Sequence, residues 1–139
     1  MAKGMGQMIR GSVFDSNVLI YHINDQLNQT AERVVFDLFD GPVYISVISR
    51  IEVLAWKGHS EESRAMTNEL ISSLIEIGLN EPIVQSTINI RRHSLVKLPD
   101  AIIAASALSL GLPLVTRNVE DFGRIEGLHL INPFEPVAM

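Results

Sequence analysis

Four carboxylates in this chain stand where chemistry could be done. Asp15, with Asn17 two residues on, closes a short apolar run, and Glu52 ends a polar series, Ser46, Ser49 and Glu52, that recurs every three residues. Asp100 follows Pro99 at the head of a small-residue stretch, and Asp121 closes Thr116-Arg117-Asn118-Val119-Glu120-Asp121. Singly, each has a plain structural explanation. Asp and Asn leaving a strand commonly cap turns and helices, and a period of three on a helix can be a solvated stripe. Gathered in one place, however, the carboxylates would repel, and some would be forced to take up protons unless a cation shared the site. The chain has no cysteine, and an all-oxygen donor set suits Mg²⁺, with Mn²⁺ as a substitute, better than structural zinc. Such a site can neutralise a phosphodiester, lower the pKa of a water and steady the leaving oxygen, so the expected chemistry is metal-assisted phosphodiester hydrolysis. No side chain is needed as a covalent nucleophile.

The elements that must position these residues alternate along the chain. Gly11 to Leu19 is a short run rich in branched residues that reads as a strand, although Asn17 to Ile23 also carries a helical pattern. A helix opens at Thr30, with Ala31, Val34, Val35, Leu38 and Phe39 at helical spacing, and Gly41-Pro42 stops it. Val43 to Ile45 predicts a second strand, and Ile48, Ile51, Val53, Leu54 and Trp56 fall on a helix ending at Gly58. Ser60 with Glu61 and Glu62 behind it starts a helix to about Leu74, because the hydroxyl caps free amides and the acids favour the positive end. Leu74 to Leu79 is a third strand, Asn80-Glu81-Pro82 opens a helix to about Arg92, and Pro99 starts another from Asp100 to Leu110, closed by Gly111. Leu114 to Thr116 and Leu128 to Ile131 complete five strands. The prediction is an α/β fold: a three-layer sandwich around a central, mostly parallel five-stranded sheet. In such a fold the carboxyl ends of strands and the amino ends of following helices face one crevice, where the four acids would meet.

Composition narrows the classes further. With 139 residues, 47% hydrophobic and 19% charged, the chain can bury a sizeable core, and residues 8–136 read as one domain behind a loose end at residues 1–7. Apolar runs such as Ala101 to Ala105 are far too short to span a bilayer. Met1 to Arg10 lacks the apolar core of a signal peptide, so no membrane association and a cytoplasmic location are expected. A net charge of −5 is the wrong sign for gripping nucleic acid by charge alone. If four acids serve one metal site, discounting them leaves −1, and the objection weakens.

Four runs together resemble a PIN domain, and more closely a VapC-type toxin of prokaryotic toxin–antitoxin pairs. They are Val13-Phe14-Asp15-Ser16-Asn17-Val18-Leu19-Ile20, Ser46-Val47-Ile48-Ser49-Arg50-Ile51-Glu52-Val53, Leu98-Pro99-Asp100 through Ala105, and Leu114-Val115-Thr116 through Phe122. They occur in the family's order across residues 12–134. The resemblance implies a Mg²⁺-dependent endoribonuclease that hydrolyses RNA, frequent homodimers, and a small antitoxin whose tail enters the active-site groove. It also implies that Asp15, Glu52, Asp100 and Asp121 are the metal-binding and catalytic acids, supported through hydrogen bonds by Asn17, Ser46, Thr116 and Asn118.

Other residues admit less pointed readings. Arg50 and Arg117 adjoin expected site residues and are candidates for RNA or antitoxin contact. Arg91, Arg92, His93 and Lys97 could hold a phosphate backbone or simply complement a helix dipole. Tyr21, Trp56 and Phe122 could stack on bases, but their apolar neighbours favour packing. The helices at Asn17–Ile23 and Ser60–Leu74 carry surplus apolar residues suited to a dimer or antitoxin surface. Three rival readings remain. A haloacid-dehalogenase-like phosphatase wants a second Asp where Asn17 stands; a PIN-like module could bind RNA or protein without turnover; and an RNA-processing nuclease need not be a toxin.

Overall fold

The computed structural model describes residues 11–136, so the expected loose end at residues 1–7 lies outside the described residues. Five strands, β1 (Ser12–Phe14), β2 (Val43–Ser46), β3 (Ile75–Ile77), β4 (Leu114–Val115) and β5 (Leu130–Ile131), form one sheet in the order β3-β2-β1-β4-β5. All four pairings are parallel. Parallel neighbours need crossovers, and these are supplied by helices α1 (Ser16–Ile23) and α2 (Gln29–Leu38), α3 (Val47–Leu54) and α4 (Glu61–Ser72), α5 (Glu81–His93) and α6 (Leu98–Leu110), and the short α7 (Val119–Phe122).

Alternating side chains of the strands feed two cores. Val13 and Leu114 turn to one face, where Ile83 and Ile90 of α5 and Ala101, Ile103 and Ala104 of α6 cover them. Phe14, Val115, Val43 and Ile45 turn to the other, against Val18 and Leu19 of α1, Val35 of α2 and Val53 of α3. Because helices cover both faces, the central strands β1 and β4 are buried on both sides and read as continuous apolar runs, whereas edge strand β3 carries the exposed Glu76.

Several boundaries differ from the sequence reading for local reasons. The run from Gly11 to Leu19 is a strand only to Phe14, because the Asp15 carboxylate accepts the Ser16 N–H at 2.8 Å and turns the chain into α1. Ser46 does the same after β2, its hydroxyl accepting the Ile48 N–H at 3.1 Å. Helix α3 stops at Leu54, leaving Trp56 and Gly58 beyond its end, and Ile51 is 57% exposed rather than packed. By contrast, Ser60 caps α4 as expected, with Ser63 returning the bond to the Ser60 N–H.

Strand order reverses beside β1. The chain moves outward through β2 and β3, then crosses back to lay β4 on the other flank of β1. The connections leaving β1 and β4 therefore part in opposite directions, and a crevice opens between their carboxyl ends.

Candidate active site

Asp15 and Thr116 leave the two strands that flank this reversal. The Thr116 hydroxyl donates to Asp15 Oδ2 at 2.8 Å and also accepts the Asn118 N–H at 3.0 Å. With Ser16 N–H on Oδ1, both oxygens of the buried Asp15 carboxylate are held. Each still has a lone pair directed elsewhere, since a carboxylate offers about four acceptor sites.

The other acids arrive from three further elements. Glu52 lies in the last turn of α3, and its Oε1 accepts the Ser16 hydroxyl at 2.6 Å, tying α3 to the start of α1. Asp100 sits in the first turn of α6, where Pro99 is tolerated because those amides lack helical partners. Asp15, Glu52 and Asp100 line one crevice of about 320 Å³, together with Ser16, Asn17 and Asn118. Asp121, in α7, does not line the crevice and is tied to it through Asn118 and by its charge on Asp100. Asn118 caps α7 and grips Asp121 twice, accepting its N–H at 3.3 Å and donating to Oδ2 at 3.2 Å.

Electrostatics couple these groups. Burial pushes the Asp15 carboxyl up to about 6, and the charges of Asp100 and Glu52 push in the same direction against the hydrogen bonds from Thr116 and Ser16. Asp100 is also raised, first by burial, then by Glu52 and Asp121, with Lys97 opposing. All four carboxylates therefore share one field, and a divalent cation would relieve it. Among the described residues no three His, Asp or Glu groups converge tightly enough to enclose an ion.

The remaining expected site residues fall into place unevenly. Asn17 lines the crevice, and Thr116 and Asn118 each hold an acid. Ser46 is fully buried, spends its hydroxyl on the α3 cap and does not line the crevice; Ser49 is buried beside it. Arg50 lies outside the crevice, paired with Glu76 of β3. The Arg117 guanidinium stacks 4.1 Å from the Phe134 ring centroid and 5.8 Å from that of Tyr21, two rings that meet edge to face. Phe122 is fully buried, as packing requires, whereas Trp56 lines the crevice. Arg91 spends a guanidinium N–H on Val96 O at 2.8 Å. One participant was missed: the Ser16 hydroxyl, which nothing in the local sequence marks, bridges α1 and α3. Lys97, of the basic cluster, acts on Asp100 by charge.

The PIN domain family model matches residues 12–128, and the chain belongs to the PIN domain family. Within it the chain resembles the VapC-type toxins. A chain of a toxin–antitoxin complex from Klebsiella pneumoniae is 30% identical, with a TM-score of 0.72, over 88% of this chain and 98% of its own. A chain of DNA-bound VapBC from Salmonella typhimurium is 27% identical, with a TM-score of 0.77 and the same two coverages. VapBC-1 from nontypeable Haemophilus influenzae gives 26% identity and a TM-score of 0.70 over 88% and 97%. No curated protein matches in the corresponding sequence search. Among the described residues no helix is long and apolar enough to cross a membrane.

Proposed function

We propose that this chain is a Mg²⁺-dependent endoribonuclease and the toxin of a type II toxin–antitoxin pair, held in check by a small antitoxin protein and working as a cytoplasmic homodimer. One observation carries the catalytic part: carboxylates from three separate elements line the crevice at the strand-order reversal, with Asp15 pushed up to about 6. Such a raised group marks a site arranged for a task other than stability. The likeness to chains of toxin–antitoxin complexes supports the regulatory part.

Asp15 and Asp100 would hold the cation, with Glu52 and Asp121 completing the donor set or orienting the attacking water. A bound divalent ion supplies charge neutralisation at the phosphodiester and acidifies water. Thr116 keeps the Asp15 carboxylate aimed, Ser16 keeps Glu52 turned inward, and Asn118 fixes Asp121. Asn17 offers an amide at the crevice wall to a substrate oxygen. Water adds across the P–O3′ bond, leaving a 5′-phosphate and a 3′-hydroxyl.

The test is expression of the chain without a partner in bacterial cells, beside Asp15→Asn and Asp100→Asn at matched levels, with new RNA 5′ ends mapped across total RNA. New 5′-phosphate ends and growth arrest in the parent alone are expected. Equal ends in all three strains would remove the acids from catalysis. Cyclic 2′,3′-phosphates with the same metal dependence would remove the water mechanism, and no new ends from soluble protein would favour a module that binds without cutting.

A further inference from the structure

The acid crevice has one aromatic wall, and the fold goes to some length to hold it. Trp56 lies just past the end of α3, four residues after Glu52, and lines the crevice while remaining half-buried. Its ring is set from two directions. His59 meets it edge to face, with centroids 5.1 Å apart at 87°. His59 is itself anchored, Nε2–H donating to Val53 O at 2.8 Å and Nδ1 lying 2.9 Å from the Ser63 hydroxyl. Gly58 lies directly against the indole, where a Cβ would fall 2.3–2.8 Å from Cζ2, Cη2 and Cε2. Only a residue without a side chain admits the ring there. The indole N–H makes no hydrogen bond to any described residue.

Packing alone does not call for this arrangement, because the surface the indole faces is polar and acidic. The crevice is lined by carboxylates, Ser16, two Asn and Ile20, with no Lys or Arg among its lining residues. Arg50 and Arg117 are engaged elsewhere. No Lys or Arg lines the crevice itself, and the chain is net acidic. A bound cation would meet the scissile phosphate and Lys97 acts on Asp100 by charge, so what the crevice still needs is a contact to a base. Base–aromatic stacking is such a contact, and it works with any base because each has a π-face.

We propose that Trp56 stacks on an unpaired base of the bound RNA next to the scissile phosphate, and so sets the register in which the strand meets the acids. This rests on the ribonuclease reading and adds to it a substrate-contacting residue. Gly58 and His59 are positioning residues that hold the indole. A protein side chain could also meet this half-buried indole, but the polar walls of the crevice match a nucleotide, which offers a ring face and polar edges together.

Trp56 is the sole tryptophan, so its fluorescence reports on itself. The full-length Asp100→Asn protein with Mg²⁺ is titrated with a labelled single-stranded hexaribonucleotide and with an abasic hexamer of the same charge, anisotropy reporting binding in both. Indole quenching by the first and not the second is expected. In the otherwise unaltered chain, Trp56→Leu should raise KM for cleavage by about 10- to 100-fold with a smaller change in kcat. Trp56→Phe should restore most of that loss, and Gly58→Ala, which keeps the indole but displaces it, should weaken binding as Leu does. Cleavage with no base-dependent quenching, or Trp56→Leu at parental KM, overturns the stacking role alone and leaves the indole to a protein partner. Absence of both oligonucleotide binding and cleavage overturns the ribonuclease reading with it.

Discussion

Helix α6 belongs to two regions that obey opposite rules. Its first turn carries Asp100 into a crevice where carboxylates raise one another's proton affinity. From Ala101 to Ala107 it is buried against the sheet and α5. In that inner stretch polar groups are satisfied locally, the Ser106 hydroxyl donating to Ile102 O at 2.8 Å and Thr87 of α5 to Ile83 O at 2.7 Å. Small residues let the helix approach closely, and what matters is dry, void-free contact. One turn away, groups that destabilise each other are held together by Thr116, Ser16 and Asn118. The difference teaches where this fold gives up stability: at the carboxyl edge of the sheet, in a few side chains, while the layer beneath them holds the scaffold.

The largest expected effect breaks the crevice and spares the scaffold. Asp15→Asn should lower RNA cleavage roughly 10²- to 10⁴-fold. Asn still caps α1 well, so circular dichroism should show an unchanged fold and metal-free protein should unfold no earlier than the parent.

The converse breaks the scaffold and spares the crevice. Ile103 is fully buried in α6, and Ile103→Ala should cost about 2–5 kcal/mol in urea unfolding. Cleavage per folded molecule should stay near the parental value, whereas a matching loss of specific activity would show the two regions to be one mechanical unit.

Next in size is a pH dependence that belongs to the crevice alone. The native Asp15 carboxyl is pushed up to about 6 from its ordinary 3.8, so the native state holds its proton more tightly than the unfolded chain does. Stability from this group is therefore greatest below pH 3.8, falls as pH rises towards 6, and stays reduced above. The full difference is up to about 3 kcal/mol. Unfolding curves of metal-free parent and Asp15→Asn should diverge over that window, with the variant relatively more stable at pH 7. Saturating Mg²⁺ should reduce the gap by stabilising the parent.

The smallest effect concerns a residue at neither region. Arg50→Ala removes an exposed ion pair with Glu76 and should cost under about 1 kcal/mol, with cleavage unchanged. A large loss of cleavage would return Arg50 to the substrate path.

Much of this division was legible in the sequence. Strand–helix alternation showed because the central strands β1 and β4 bury apolar side chains on both faces, and the caps at Ser60 and Asn80 marked helix starts that the structure keeps. The acids stood out because each leaves a strand or opens or ends a helix. Contacts across the chain were less visible. Ser16 meets Glu52 across 36 positions and Thr116 meets Asp15 across 101, separations that no local pattern reports. Adjacency in sequence is also not adjacency in space. Arg50 precedes Glu52 by two, and residues two apart on a helix do not face each other, so one pairs with Glu76 and the other enters the crevice. Trp56 read as packing because its sequence neighbours are apolar, yet α3 ends at Leu54 and the chain beyond it carries the ring to the crevice wall.

The claim tested most directly by a single measurement is that the crevice carboxylates share one divalent cation. Calorimetric titration of Mn²⁺ into metal-free full-length protein at pH 6, in two buffers of different ionisation enthalpy, reads binding and proton release together. A saturable site that releases protons in the parent, is weakened in Asp100→Asn and is unchanged in Ile103→Ala is the expected result. Equal binding in the parent and Asp100→Asn, or no saturable binding in folded protein, would contradict it.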